Sequence, residues 1–114
     1  MTVGLDVVDD VLAALADPMR RRLLDRLADH GETTATVLAT ELPVTRQAVV
    51  QHLAVLGQVQ LVRSQRSGRE RRYTVHPEPL TATARWMTQV ASQWDTRLAA
   101  IKALAEAAEA TPGG

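Results

Sequence analysis

The sequence predicts a mainly α-helical domain with one small β-hairpin. Apolar residues recur at three- and four-residue steps along most of the chain, the pattern of amphipathic helices. Only residues 61–75 read as strands, two short segments around a glycine-containing turn. From Leu80 to Ala110 no Gly or Pro interrupts the chain, which leaves one long final helix. With 114 residues there is room for one domain of ordinary size. It is expected over residues 1–110, with 111–114 a disordered tail.

Leu5, Val8, Leu12 and Leu15 give the first helix, over about residues 5–16. Asp17-Pro18 then opens a second, because Asp is a good N-cap and Pro suits the first helical position. Met19, Leu23, Leu24 and Leu27 line its inner face and Gly31 stops it. Thr33 or Thr34 caps a short third helix with Val37, Leu38 and Leu42 inward, ended by Pro43. Thr45 caps a fourth, in which Val49, Leu53 and Leu56 face inward while Arg46, Gln47, Val50 and Gln51 face outward. Two short helices joined by a tight turn are a helix-turn-helix. Residues 61–66 and 71–75 then form a hairpin, the wing, turning at Ser67-Gly68-Arg69-Glu70. The expected fold is therefore a winged helix-turn-helix of five helices and a two-stranded wing. On the last helix Leu80, Ala84, Met87, Ala91, Trp94, Leu98, Ile101, Ala105 and Ala108 keep steps of four and three over four heptads, a seam that packs against another helix. So small a domain has little left to cover that stripe, which implies a partner chain.

The formal net charge is zero, but it is unevenly placed. Between Val44 and Val75 stand Arg46, Arg63, Arg66, Arg69, Arg71 and Arg72 against Glu70 alone, five net positive charges that the rest of the chain balances. A cationic third on an acidic body is the footprint of a polyanionic partner; the alternative is a solvated charged hairpin. The chain has no cysteine, which removes disulfides, thiolate metal ligands and cysteine nucleophiles. His30, His52 and His76 are scattered with no two at ligand spacing, so no metal site is expected. No nucleophile-and-base order and no Gly-rich phosphate loop appears, so neither enzymatic activity nor a cofactor is expected. Asp6, Asp9, Asp10 and Asp17 without early Lys or Arg are the reverse of a signal peptide's positive start, and no apolar run reaches the roughly 18 residues of a membrane span. A cytoplasmic protein without a membrane partner is expected.

The start of a recognition helix reaches base edges in the major groove of double-stranded DNA. Thr45, Arg46, Gln47, Val50, Gln51 and His52 occupy that helix. Arg pairs with guanine, Gln with adenine, and Val50 suits a thymine methyl. On the wing Arg63, Arg66, Arg69, Arg71 and Arg72 suit phosphates, with most weight on Arg66 and Arg69 beside the turn. Alternation puts Arg71, Tyr73 and Val75 on one wing face and Arg72 and Thr74 on the other, which makes Tyr73 hairpin packing more than base stacking. Arg20, Arg21 and Arg22 sit in the first turn of the second helix, where the macrodipole disfavours cations. Pairing of Arg21 with Asp25 is one answer to that, and a phosphate contact by Arg20 is another.

Residues 15–24, LADPMRRRLL, resemble the opening of the ArsR/SmtB-type repressors; residues 45–56, TRQAVVQHLAVL, resemble their recognition helix, and residues 68–73, GRERRY, their wing. The resemblance runs from about Leu12 to Leu104 and implies a homodimer built on the first and last helices, here Leu5, Val8, Leu12, Met87, Ala91, Trp94, Leu98, Ile101 and Ala105. It further implies an inverted-repeat operator and repression until a small-molecule inducer arrives. In the metal-sensing branches the ligands are Cys on the helix before the recognition helix, or Asp/His/Glu sets on the last helix. Here the former positions are Thr34, Thr36 and Ala39, and the last helix has no His, so the chain resembles a branch that does not sense metal there. Val50 stands where the family usually has Ser, which removes a polar contact. Gln60 stands where it usually has Gly, a position that tends to a left-handed backbone; Gly57 offers an earlier helix end instead. The competing reading is a winged-helix protein-interaction module without DNA binding.

Overall fold

In the computed structural model, which describes residues 3–110, the elements run α1 (Val3–Ala14), α2 (Pro18–His30), β1 (Glu32–Thr34), α3 (Ala35–Glu41), α4 (Arg46–Gln58), β2 (Val62–Ser67), β3 (Glu70–Val75) and α5 (Glu78–Ala110). The tail at 111–114 and the side chain of Leu5 lie outside the described residues. The chain divides into two compact units, one ending at Thr83 and the other beginning at Ala84.

In the first unit each helix start has the cap its sequence supplies. Asp17 accepts from the backbone N–H of Met19 at 2.7 Å and of Arg20 at 3.3 Å, with Pro18 in the first turn. Thr34 accepts from Val37 N–H at 3.2 Å and Thr45 from Ala48 N–H at 3.1 Å. Of the two candidate caps for α3, Thr34 serves; Thr33 is a buried strand residue. Gly31 ends α2 with φ 77°, its N–H bonded to the carbonyls of Leu27 and Ala28. The core gathers Val11 from α1, Leu23 and Leu27 from α2, Leu38 from α3, Val49, Leu53 and Leu56 from α4, then Leu61 and Tyr73. Val37, expected inward, is exposed, because so short a helix turns only Ala35 and Leu38 fully to the core.

The end of α4 is a Schellman motif. Leu61 N–H bonds the Leu56 carbonyl at 2.9 Å and Gln60 N–H that of Gly57 at 3.1 Å. Gln60 sits between with φ 65°, the single non-glycine of positive φ among the described residues. The helix thus passes Gly57 and places its left-handed residue at Gln60.

The wing pairs β2 with β3 antiparallel, Val62 opposite Val75 through to Ser67 opposite Glu70. Gly68 then has φ 63° while Arg69 stays negative, the sign pattern of a type II′ hairpin turn. A third strand joins it: β1 pairs with β3, Thr33 opposite Tyr73, so the sheet order is β1-β3-β2. Three residues are too few to show alternation, and the sequence signal for β1 was absent.

Helix α5 begins at Glu78, two residues ahead of expectation, because Pro79 falls in the first turn where no N–H is needed. Its opening belongs to the first unit: Pro79 and Thr83 are buried, Leu80 packs on the core, and the Thr83 hydroxyl donates to the Pro79 carbonyl at 2.8 Å. In the second unit the helix carries Met87, Trp94, Leu98, Ile101 and Leu104, each more than half exposed, with the Arg97 guanidinium 5.2 Å from the centroid of the Trp94 ring. Leu104 widens the stripe read from the sequence. No helix among the described residues is long and apolar enough to cross a membrane.

Candidate nucleic-acid interface

Capping by Thr45 and burial of Val49, Leu53 and Leu56 fix which face of α4 is presented. Arg46, Gln47 and Gln51 are exposed on it, and the two glutamines make no side-chain hydrogen bond among the described residues. Arg46 is held: its Nε donates to Thr36 Oγ1 on α3 at 3.0 Å, tying the two helices of the helix-turn-helix together. Val50, expected to face outward, is half-buried and packs against the core, lining a cleft with Leu53, Val62, Ser64 and Tyr73. His52 is also half-buried, close enough to Asp17 for its charge to act there. Burial raises the Asp17 pKa, but backbone hydrogen bonds from Arg20 and Met19, then the charges of Arg20 and His52, outweigh it and hold the carboxyl below its ordinary value.

The wing arginines separate by what they already hold. Arg72 donates from Nε to Glu32 at 2.8 Å and from Nη1 to Glu70 at 3.1 Å, which anchors β1 to β3. Arg71 Nη1 donates to Ser64 Oγ at 2.9 Å, and Arg63 Nη2 lies 3.2 Å from His76 Nε2. Arg66 and Arg69 are exposed and make no ion pair or side-chain hydrogen bond among the described residues. Buried Tyr73 shows which face of β3 meets the core. Arg71 lines the clefts on that face, and Arg63, Arg72 and Thr74 line one on the other, as alternation requires.

Arg20 and Arg21 are turned back on the chain. Arg20 Nε donates to the Ala14 carbonyl and Arg21 Nη1 to the Leu15 carbonyl, while Arg20 Nη1 lies 3.7 Å from Asp17. The expected pairing of Arg21 with Asp25 is not made. Both cations instead serve the carbonyl end of α1, where a positive charge is favoured. Behind the interface, α2 and α3 are joined by Glu41, whose carboxylate lies 2.8 and 3.0 Å from His30 Nε2 and 3.6 Å from Arg26. The His30 hydrogen bond, opposed by burial and helped by the charges of His30 and Arg26, lowers the Glu41 pKa. No group of three His, Asp or Glu side chains among the described residues could hold a metal ion.

Val8 is buried within its own chain, Leu12 is exposed on α1, and Met87, Ala91, Trp94, Leu98, Ile101 and Ala105 are exposed on α5. Sequence reasoning missed Thr36 and Glu32. Thr36 lies ten residues before the arginine it holds and Glu32 forty before its own, too far for any local pattern to connect them.

Residues 15–65 match the family model described as a helix-turn-helix domain. The chain is 45% identical over 74 residues to the HTH-type transcriptional regulator Rv2034 of Mycobacterium tuberculosis, covering 65% of this chain and 68% of that one. An ArsR-like transcriptional regulator from Rhodococcus sp. RHA1 superposes with a TM-score of 0.76 at 42% identity, over 89% of this chain and 94% of that one. The homodimeric winged helix-turn-helix DNA-binding domain of Mb0332 from Mycobacterium bovis gives a TM-score of 0.60 at 31% identity, over 82% and 83% of the two chains. These relatives are regulators of transcription, not enzymes. The chain belongs to the ArsR family of winged helix-turn-helix transcriptional regulators.

Proposed function

We propose that this chain is a homodimeric, sequence-specific repressor that binds an inverted-repeat operator in double-stranded DNA. The observation that carries the reading is the pairing of free groups: among the described residues, Gln47 and Gln51 are exposed on α4 without side-chain hydrogen-bond partners, and Arg66 and Arg69 are equally free on the wing. Gln51 lies four residues, about one turn, beyond Gln47, so both amides stand on one face of α4. An amide makes two hydrogen bonds to adenine, and a free guanidinium suits a phosphate. The exposed stripe of Met87, Trp94, Leu98 and Ile101 on α5 calls for a covering chain. A second copy is the partner the homodimeric relative supports. Two-fold symmetry would then require two inverted half-sites, and a dimer seated there excludes other proteins from the same duplex, which is repression.

The test is selection of duplexes from a random-sequence pool by the purified protein. An enriched inverted repeat bound as two chains per duplex is the expected result. No enrichment and no salt-dependent gel shift would leave α5 as a docking helix without a DNA-binding role.

A further inference from the structure

We propose that the cleft between α3 and the wing is a seat for one phosphate group, and that Arg46 therefore holds the DNA backbone and does not read a base. The inference rests on the DNA-binding reading and assigns one of its residues a different task. The cleft has a volume of about 290 Å³ and is lined by Arg46, Arg69 and Arg71 together with Thr34, Thr36 and Glu70. Among the described residues none of the three arginines pairs with a carboxylate. Arg46 donates to the neutral Thr36 hydroxyl, Arg71 to the neutral Ser64 hydroxyl, and Arg69 to no side chain among the described residues. Glu70, the one carboxylate in the lining, has its Oε2 on Arg72 Nη1 at 3.1 Å. Three cations around one polar space repel one another, and an anion seated among them removes that repulsion. A base edge carries no charge to do so, whereas a phosphate does and offers several acceptor oxygens to the guanidinium forks.

The Thr36 bond sets the direction of the Arg46 side chain. With Nε engaged, the Arg46 guanidinium is fixed on the α3 side of α4, and its two terminal nitrogens remain for the anion. Thr36 is then a positioning residue. Discrimination between sequences falls to Gln47 and Gln51.

The test compares wild type, Arg46→Ala and Thr36→Val on the duplex selected by wild type and on a scrambled duplex, across a salt series. Both variants change exposed residues, and thermal melting establishes that they fold. Arg46→Ala should weaken both duplexes by the same factor, about tenfold, and reduce the slope of log affinity against log salt by about 0.9. Thr36→Val should weaken both in the same proportion to each other, and add little to Arg46→Ala in the double variant. Two further arms identify the source of the phosphate. Neutral methylphosphonate placed at single backbone positions should reveal one position per half-site where wild type loses affinity and Arg46→Ala, with Arg69 and Arg71 still lining the seat, loses distinctly less. Inorganic phosphate replacing chloride at constant ionic strength, if it displaces DNA from wild type but not from Arg46→Ala, would show that the seat also takes the free anion. A loss on the selected duplex at least tenfold greater than on the scrambled one makes Arg46 a base reader and overturns the proposal. So does the absence of both the methylphosphonate position and the phosphate displacement. If wild type binds no duplex, the DNA reading fails by itself, and inorganic phosphate stabilising wild type over Arg46→Ala in melting decides the seat alone.

Discussion

The Leu61 N–H donates to the Leu56 carbonyl across the end of α4 at 2.9 Å, and the residue between them that makes this closure sterically costly is Gln60, at φ 65°. Both leucines are fully buried, so the closure also sets where the wing leaves the recognition helix. Side chains with a Cβ are disfavoured in that left-handed region, and glycine is not.

Replacing Gln60 by Gly should therefore stabilise the protein by about 1 kcal/mol despite glycine's greater freedom in the unfolded chain. Replacing it by Val should destabilise it by at least as much. Equilibrium denaturation of the two variants gives the signs. A destabilised Gln60→Gly would mean that the Gln60 side chain makes a contact outweighing the backbone strain.

Assembly is tested on α5. Leu98 is 57% exposed, so Leu98→Glu leaves the core of the first unit untouched. In a dimer built on this stripe it places one buried unpaired charge on each side of the seam. Sedimentation at micromolar concentration should show dimer for wild type and monomer for the variant, and the variant should melt lower because it loses the stabilisation that association supplies. A monomeric wild type would remove the stripe as a self-association surface.

The Glu41 contact makes stability depend on acid. Because its pKa is lowered in the folded state, the contact contributes in full above the ordinary glutamate value of about 4.3. The contribution is lost as pH falls through the lower folded value. Wild type should melt above Glu41→Gln near neutral pH, and the two melting curves should converge on acidification through that range. A gap that stays constant with pH would show that the carboxylate charge is not what His30 and Arg26 hold.

Zinc or arsenite at stoichiometric amounts should leave DNA affinity unchanged, since Thr34, Thr36 and Ala39 supply no thiolate and α5 contains no His. A loss of binding that a chelator reverses contradicts this.

The local elements were legible because their signals are local. Asp17-Pro18, Gly31, Thr45 and the Gly68 turn each act within three or four residues, and each acts where the sequence placed it. The end of α4 is not fixed by such signals: only the family resemblance points to a left-handed residue at Gln60, and Gly57 offers a competing helix end. The tasks of individual arginines were not legible. Arg20 and Arg21 find carbonyls six residues back, Arg72 finds Glu32 across a strand of three residues, and Arg46 finds Thr36 across the turn. Each depends on tertiary placement. Val50 departs from its expected outward place for a related reason: its burial depends on the wing packing beside α4, which helical periodicity does not contain.

The central claim is that α4 reads sequence while the wing holds the backbone, and Gln51→Ala measured beside Arg66→Ala on selected and scrambled duplexes across a salt series tests it most directly. Gln51→Ala should cost about 1 to 3 kcal/mol on the selected duplex and much less on the scrambled one, with the salt slope unchanged. Arg66→Ala should weaken both duplexes alike and reduce that slope by about 0.9. If both variants bind both duplexes as wild type does, neither α4 nor the wing is the DNA surface, and the account fails.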